Sequence, residues 1–196
     1  MRKHTILIYE FDELPEDVQS SLIENCDLTH IFEEDASFYL DNKTEELEEI
    51  YKGIKISYNG FWSQGDGASF TCDNVNILEL VTEEAIRQNV KHGKLLSNEA
   101  IKTILDDVEA SISRVNYRYY HPYSVRINCD YNGSISRIGQ EIANYLQGVI
   151  EKEEVKISNS IYKDLEKIYD ETHEEENVKE YLRFFEYYED GRRFLE

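Results

Sequence analysis

The order of hydrophobic periods along the chain predicts an α+β fold, an antiparallel sheet from central hairpins covered by N- and C-terminal helices. Three observations carry this. Short alternating runs of β-branched and aromatic residues are grouped in the middle, at 54–58, 68–72 and 115–131. Stretches with apolar residues three and four apart lie toward both ends. Only two prolines and no Ser/Gly-rich linker interrupt the 196 residues, so a single domain over 1–196 is expected. Grouped strands flanked by helices favour a sheet with helices on one face.

Taken in order, Thr5 to Phe11 has the β-branched and aromatic content of a strand. Pro15 fits the first turn of a helix, and Glu16 and Asp17 suit its positive end. Val18, Leu22 and Ile23 would be its buried stripe. A second acidic helix is expected over 44–52, ending at Gly53 as a C-terminal cap. Ile54 to Tyr58 alternates as a strand, with a partner near Ala68–Cys72. Thr82 to Gln88 reads as a short helix. Ser97 can cap a longer one carrying Ile101, Ile104, Leu105, Val108 and Ile112. Val115, Tyr117 and Tyr119, then Val125, Ile127, Cys129 and Tyr131, predict a hairpin turning at His121-Pro122. After Asn132-Gly133, Ser134 caps a long helix with Ile135, Ile138, Ile142, Leu146, Val149 and Ile150 on one face. Ile157, Ile161, Leu165 and Ile168 continue that face, in one helix or two. A last helix over 177–185 and a turn at Asp190-Gly191 close the chain.

Charge narrows the function classes. Forty-one acidic residues face twenty-one basic ones, a net of −20. Residues 1–50 carry −12 and residues 151–196 carry −7, flanking a nearly neutral middle. Direct binding to DNA or RNA needs clustered Lys and Arg, so it is excluded, as is attraction to an anionic membrane surface. Aromatic residues make up 12% of the chain, which excludes a disordered acidic tail. With neither a secretory signal nor a membrane-spanning run in view, the expected location is the cytoplasm. Cys26, Cys72 and Cys129 are odd in number and widely spaced, the pattern of reduced structural thiols. His4, His30, His92, His121 and His173 are scattered, and no phosphate-cradling loop with a following Lys occurs. Neither a metal nor another cofactor is therefore expected.

One segment stands apart: Gly60-Phe61-Trp62-Ser63-Gln64-Gly65-Asp66-Gly67-Ala68-Ser69-Phe70, which holds three of the nine glycines and the only Trp. Gly65-Asp66-Gly67 offers positive-φ positions for a sharp turn, and Asp66 can bond the backbone nearby. This segment resembles the signature of a family of uncharacterised phage and prophage proteins, loosely labelled antitoxin-like, whose pattern often has Cys at the position of Ser69. Phe11-Asp12-Glu13-Leu14, Arg118-Tyr119-Tyr120-His121 and Tyr187-Tyr188-Glu189-Asp190-Gly191-Arg192-Arg193 are similar to further stretches of that family, in the same order. The resemblance implies an accessory protein of a bacterial virus that acts on a host system.

Two function classes follow. In the first, the chain is an intracellular inhibitor whose carboxylates imitate the phosphates of nucleic acid. They would occupy the groove of a basic host-defence protein, a nuclease or CRISPR effector, giving anti-CRISPR or anti-restriction activity. Its contacts would be Glu33, Glu34, Asp35, Glu45, Glu46, Glu48, Glu49, Glu174, Glu175 and Glu176. In the second, the chain is a hydrolase. The Asp-Gly-x-Ser loop resembles the nucleophile loop of ovarian-tumour-type cysteine proteases, with Ser69 as nucleophile, His121 as base and Asp66 beside the oxyanion. Tyrosines around 117–123 and 181–188 suit an interface or a half-buried sheet.

Overall fold

The computed structural model describes residues 7–134 and 136–194. In chain order the elements are β1 (Tyr9–Glu10), α1 (Glu16–Glu24), α2 (Thr29–Leu47), β2 (Tyr51–Lys52), β3 (Lys55–Asn59), β4 (Gly67–Thr71), β5 (Asn74–Val75), α3 (Ile77–Leu80), α4 (Glu83–Asn89), α5 (Asn98–Asp106), β6 (Val108–Arg114), β7 (Val125–Tyr131), α6 (Ser136–Thr172), α7 (Glu175–Leu182) and β8 (Glu186–Tyr187). The fold is α+β: helices occupy both ends, and the described strands pair antiparallel in twos, β1 with β8, β2 with β5, β3 with β4, and β6 with β7. The chain divides into two compact units, one of residues 1–37 and 165–196, the other of residues 38–164.

In the first unit, α1 starts at Glu16, with Pro15 at its N-cap, one residue before the first turn that its sequence predicts for it. Val18, Leu22 and Ile23 are only partly buried, and they pack against Phe11, Leu14, Leu28, Val178, Leu182 and Tyr187. Tyr187 is fully buried and donates its hydroxyl to the Leu182 carbonyl at 2.9 Å. Of the strand expected over 5–11, Thr5 and Ile6 lie outside the described residues, and Phe11 already begins a 3₁₀ turn.

In the second unit, β3 and β4 form the expected hairpin, in the register Tyr58 opposite Ala68 and Ile56 opposite Phe70. Reciprocal backbone bonds of Cys72 and Ile112, at 3.0 and 3.1 Å, tie this hairpin to β6. Thr82 caps α4 and Ser97 caps α5, each accepting from the backbone N–H three residues on at 3.2 Å.

Three expectations need correction, and one question left open is answered. The helix expected over 44–52 begins at Thr29 and ends at Leu47; Gly53, at φ +69°, turns the chain between β2 and β3. α5 stops at Asp106, so Val108 and Ile112 belong to a strand, with Val108, Ala110 and Ile112 buried in alternation. The partner of β7 is therefore β6, and residues 115–121 form a loop. The stretch 136–172 is one 37-residue helix. Its buried stripe runs through Ile142, Leu146, Ile150, Glu154, Ser158, Ile161 and Leu165, while Ile157 is only half-buried.

Candidate functional site

The glycine-rich segment folds into the β3–β4 connection. Asp66 makes that turn self-supporting: its carboxylate accepts the Ser63 N–H at 2.6 Å, and its own N–H donates to the Ser63 carbonyl at 3.1 Å. Gly60 (φ +43°) and Gly65 (φ +98°) adopt backbone conformations that glycine tolerates best. Trp62 also has a positive φ, +66°, a conformation that costs an L-residue about 1–2 kcal/mol. Its ring is 65% exposed and lies 5.5 Å from that of Phe61, which tilts against Tyr162 at 5.6 Å. Gln64 is exposed.

Residues 114–124 pack against this turn, and glycine makes the approach possible. A Cβ at Gly65 would run into the Tyr119 ring, and one at Gly67 would meet the His121 backbone at 2.9 Å. The Arg114 guanidinium fastens the two segments: Nη1 donates to the Tyr119 carbonyl at 3.1 Å and Nη2 to Ser69 Oγ at 3.2 Å. Ser124 Oγ lies 3.4 Å from Ser69 Oγ and donates to the His121 carbonyl at 2.7 Å. The imidazole of His121 stacks on Tyr119 at 5.6 Å, and its Nδ1 is buried without a hydrogen-bond partner among the described residues.

This geometry places the residues of the nucleophile reading as follows. Ser69 is 0% exposed and faces Arg114 and Ser124; none of its hydrogen bonds reaches the His121 ring. A nucleophile needs its base within hydrogen-bond reach and a path for the substrate. Ser69 is shielded, no hydrogen bond joins it to the His121 ring among the described residues, and the Asp66 carboxylate and N–H are both engaged within their own turn. The three residues of the hydrolase hypothesis are brought into one neighbourhood, where Ser69 is buried and Asp66 and His121 are half-buried parts of a brace. The thiols are equally withdrawn: burial pushes both Cys72 and Cys129 up to about 11, and Cys26 is also raised, so the thiolate needed for reaction is scarce.

The acidic candidates sort differently from their sequence runs. Leu28, just before α2, and Phe32 and Ala36 on it are buried at intervals of four, so Glu33, Glu34 and Asp35 fill the arc of the helix facing solvent. None of the three has an ion-pair partner among the described residues. Glu45 and Glu49 are exposed in the same unpaired way in the second unit, but Glu46 is held by Lys43 at 2.7 Å. Glu48 turns inward and accepts the N–H groups of Gly53 at 2.9 Å and Ile54 at 3.3 Å, so it is a turn cap.

The 174–176 run starts α7, where acids meet the positive end of the helix. Lys179 binds Glu175 at 2.6 Å and holds its carboxyl below the usual range. Arg183 takes Glu176 at 3.2 Å while also gripping Asp12. Glu174 alone of the three has no such partner among the described residues.

Sequence reading missed a cleft of about 350 Å³ in the first unit. Leu28, Ile31 and Ile168 give it apolar walls, and Asp35, Glu171 and Tyr181 bring polar groups to it. Folding joins residues 133 or more positions apart, which no local pattern announces. The unit around it carries 21 acidic and 7 basic residues, a net of −14 over 69 residues, against −6 over the 127 of the other unit. No described helix is long and apolar enough to cross a membrane, and the described residues hold no cluster of metal-ligating side chains.

No curated protein and no solved structure matches the chain. Residues 17–175, from α1 through the glycine-rich turn to the start of α7, match the domain of unknown function DUF8835, and the chain belongs to that family.

Proposed function

We propose that the chain is an inhibitor encoded by a bacterial virus. In this reading it acts in the host cytoplasm by binding a basic host-defence protein at the groove where that protein holds nucleic acid. The observation that carries the reading is the charge partition: −14 is concentrated in a folded unit of 69 residues, with Glu33, Glu34, Asp35 and Glu174 displayed and unpaired. Such a field raises the encounter rate with a cationic groove and rejects like-charged partners. The cleft beside Asp35 offers an anchor. A long basic side chain can lay its methylenes on Leu28, Ile31 and Ile168 and bring its charge to Asp35 and Glu171. Phage origin and an anti-CRISPR or anti-restriction target rest on the resemblance of the 60–70 segment and its companion stretches.

The test is affinity capture from bacterial lysate, followed by identification of the retained proteins. The reading predicts a basic nucleic-acid-binding protein, displaced both by added duplex DNA and by raising salt from about 0.1 to 1 M, where the screening length falls from about 10 to 3 Å. Retention that neither DNA nor salt disturbs would contradict it.

A further inference from the structure

Helical periodicity places a carboxyl group where an aliphatic side chain belongs. Counting by four along the buried stripe of α6 from Ile142 gives Leu146, Ile150, Glu154 and Ser158 before the apolar sequence resumes at Ile161. Glu154 is consequently only 2% exposed, although it follows Glu151, Lys152 and Glu153 in a run that reads as solvated surface. Ser158 Oγ donates to one of its carboxylate oxygens at 2.7 Å. The other oxygen has no donor, and no cation is paired with the group, among the described residues. Burial pushes this carboxyl up to about 7.

Glu154 also lines a pocket of about 380 Å³ between α6 and the segment 115–127. The other walls are chiefly apolar: Val115, Pro122, Val125, Ile127 and Val155. Tyr123, 84% exposed, stands at the same pocket, and Arg126 and Glu151 are its other charged groups. A concave, mostly apolar site with few polar groups is the usual form of a small-ligand site.

We propose that this pocket binds a primary alkylammonium group carried on a short apolar stem, with Glu154 receiving the ammonium. The stem covers Val125, Ile127 and Val155, and the cation supplies the donors that the second oxygen of Glu154 lacks. A compact ammonium fits better than a guanidinium, whose fork needs both oxygens of a carboxylate, one of which Ser158 already occupies. Two carboxylates against one guanidinium disfavour an anion. The site lies in the second unit and uses none of the residues named for the proposed inhibitor surface, and the two proposals stand or fall separately.

The experiment is a titration of the full chain followed by backbone amide NMR, with n-butylammonium, 1-pentanol and pentanoate as probes. The proposal predicts saturable shifts on α6 and β7 with butylammonium at about millimolar concentration, the range a ligand of this size can reach. Glu154→Gln, which keeps shape and hydrogen bonding, should weaken it by about tenfold or more. Val115→Trp, which narrows the mouth and leaves Glu154 in place, should weaken it as well. Equal affinity for pentanol, equal affinity in Glu154→Gln, or no saturation with butylammonium would each overturn the proposal. Nα-acetyl-lysine amide binding more tightly than cadaverine would assign the site to a lysine side chain; the reverse order would assign it to a free amine.

Discussion

Individual residues decide whether the glycine-rich segment is a brace or a catalytic loop. Gly67 lets β4 approach the His121 backbone closely, and a methyl group placed there has rigid main chain in front of it. Gly67→Ala should therefore lower stability by about 1–3 kcal/mol, as overpacking does, which a denaturant titration would read. Glu154 gives a second prediction at this scale. Its carboxyl titrates near 7 when folded and near 4.5 when exposed, so between these values the folded state holds more protons than the unfolded chain. Stability must then fall as pH rises from about 4.5 to about 7 and level off above, by roughly 3 kcal/mol for this group. The difference between wild type and Glu154→Gln isolates it: the variant should gain on the wild type across that window, and parallel pH curves would contradict the assignment.

Elements show what was legible and what was not. The β3–β4 hairpin could be read because alternation on both sides of Gly65-Asp66-Gly67 has no competing period, and Thr82 and Ser97 announced α4 and α5 through their capping chemistry. β6 was hidden because Val108 and Ile112 are four apart, a spacing common to a helical face and a strand face; Ala110, too small to register as a hydrophobic signal, decides for the strand. In 115–119 the alternation is real, but those side chains serve the loop that embraces the glycine turn. The helix expected over 44–52 is the end of the longer α2, whose buried stripe through Phe32, Ala36 and Leu47 is too sparse to mark its start. Among site residues, the exposure of Glu33, Glu34 and Asp35 was legible; the pairing of Glu175 and Glu176 and the inward turn of Glu48 depend on groups that only folding brings near. The joining of β1 to β8 through Tyr187 gives an element-scale prediction. Tyr187→Ala should cost about 3–5 kcal/mol and speed amide exchange in α1 and α7, leaving β6 and β7 protected. Equal acceleration in β6 and β7 would show that the first unit has no separate core.

At the scale of the whole molecule, the excess charge is not spread in proportion to chain length. The first unit carries −14 on about a third of the residues, and it is closed by segments from the two ends of the sequence. Self-repulsion on this scale destabilises a compact state, and local pairs such as Arg183 with Asp12 and Glu176 offset only part of it. A surface kept under that penalty is consistent with recognition of a cation-rich partner. The most direct measurement compares the protein retained from lysate by the wild type with that retained by the variant Glu33→Gln, Glu34→Gln, Asp35→Asn, all solvent-facing on α2 and so expected to leave the fold intact. The account predicts that a basic protein held by the wild type near physiological salt is lost, or weakened by about tenfold or more, in the variant. Undiminished capture by the variant would mean that these carboxylates only keep the chain in solution.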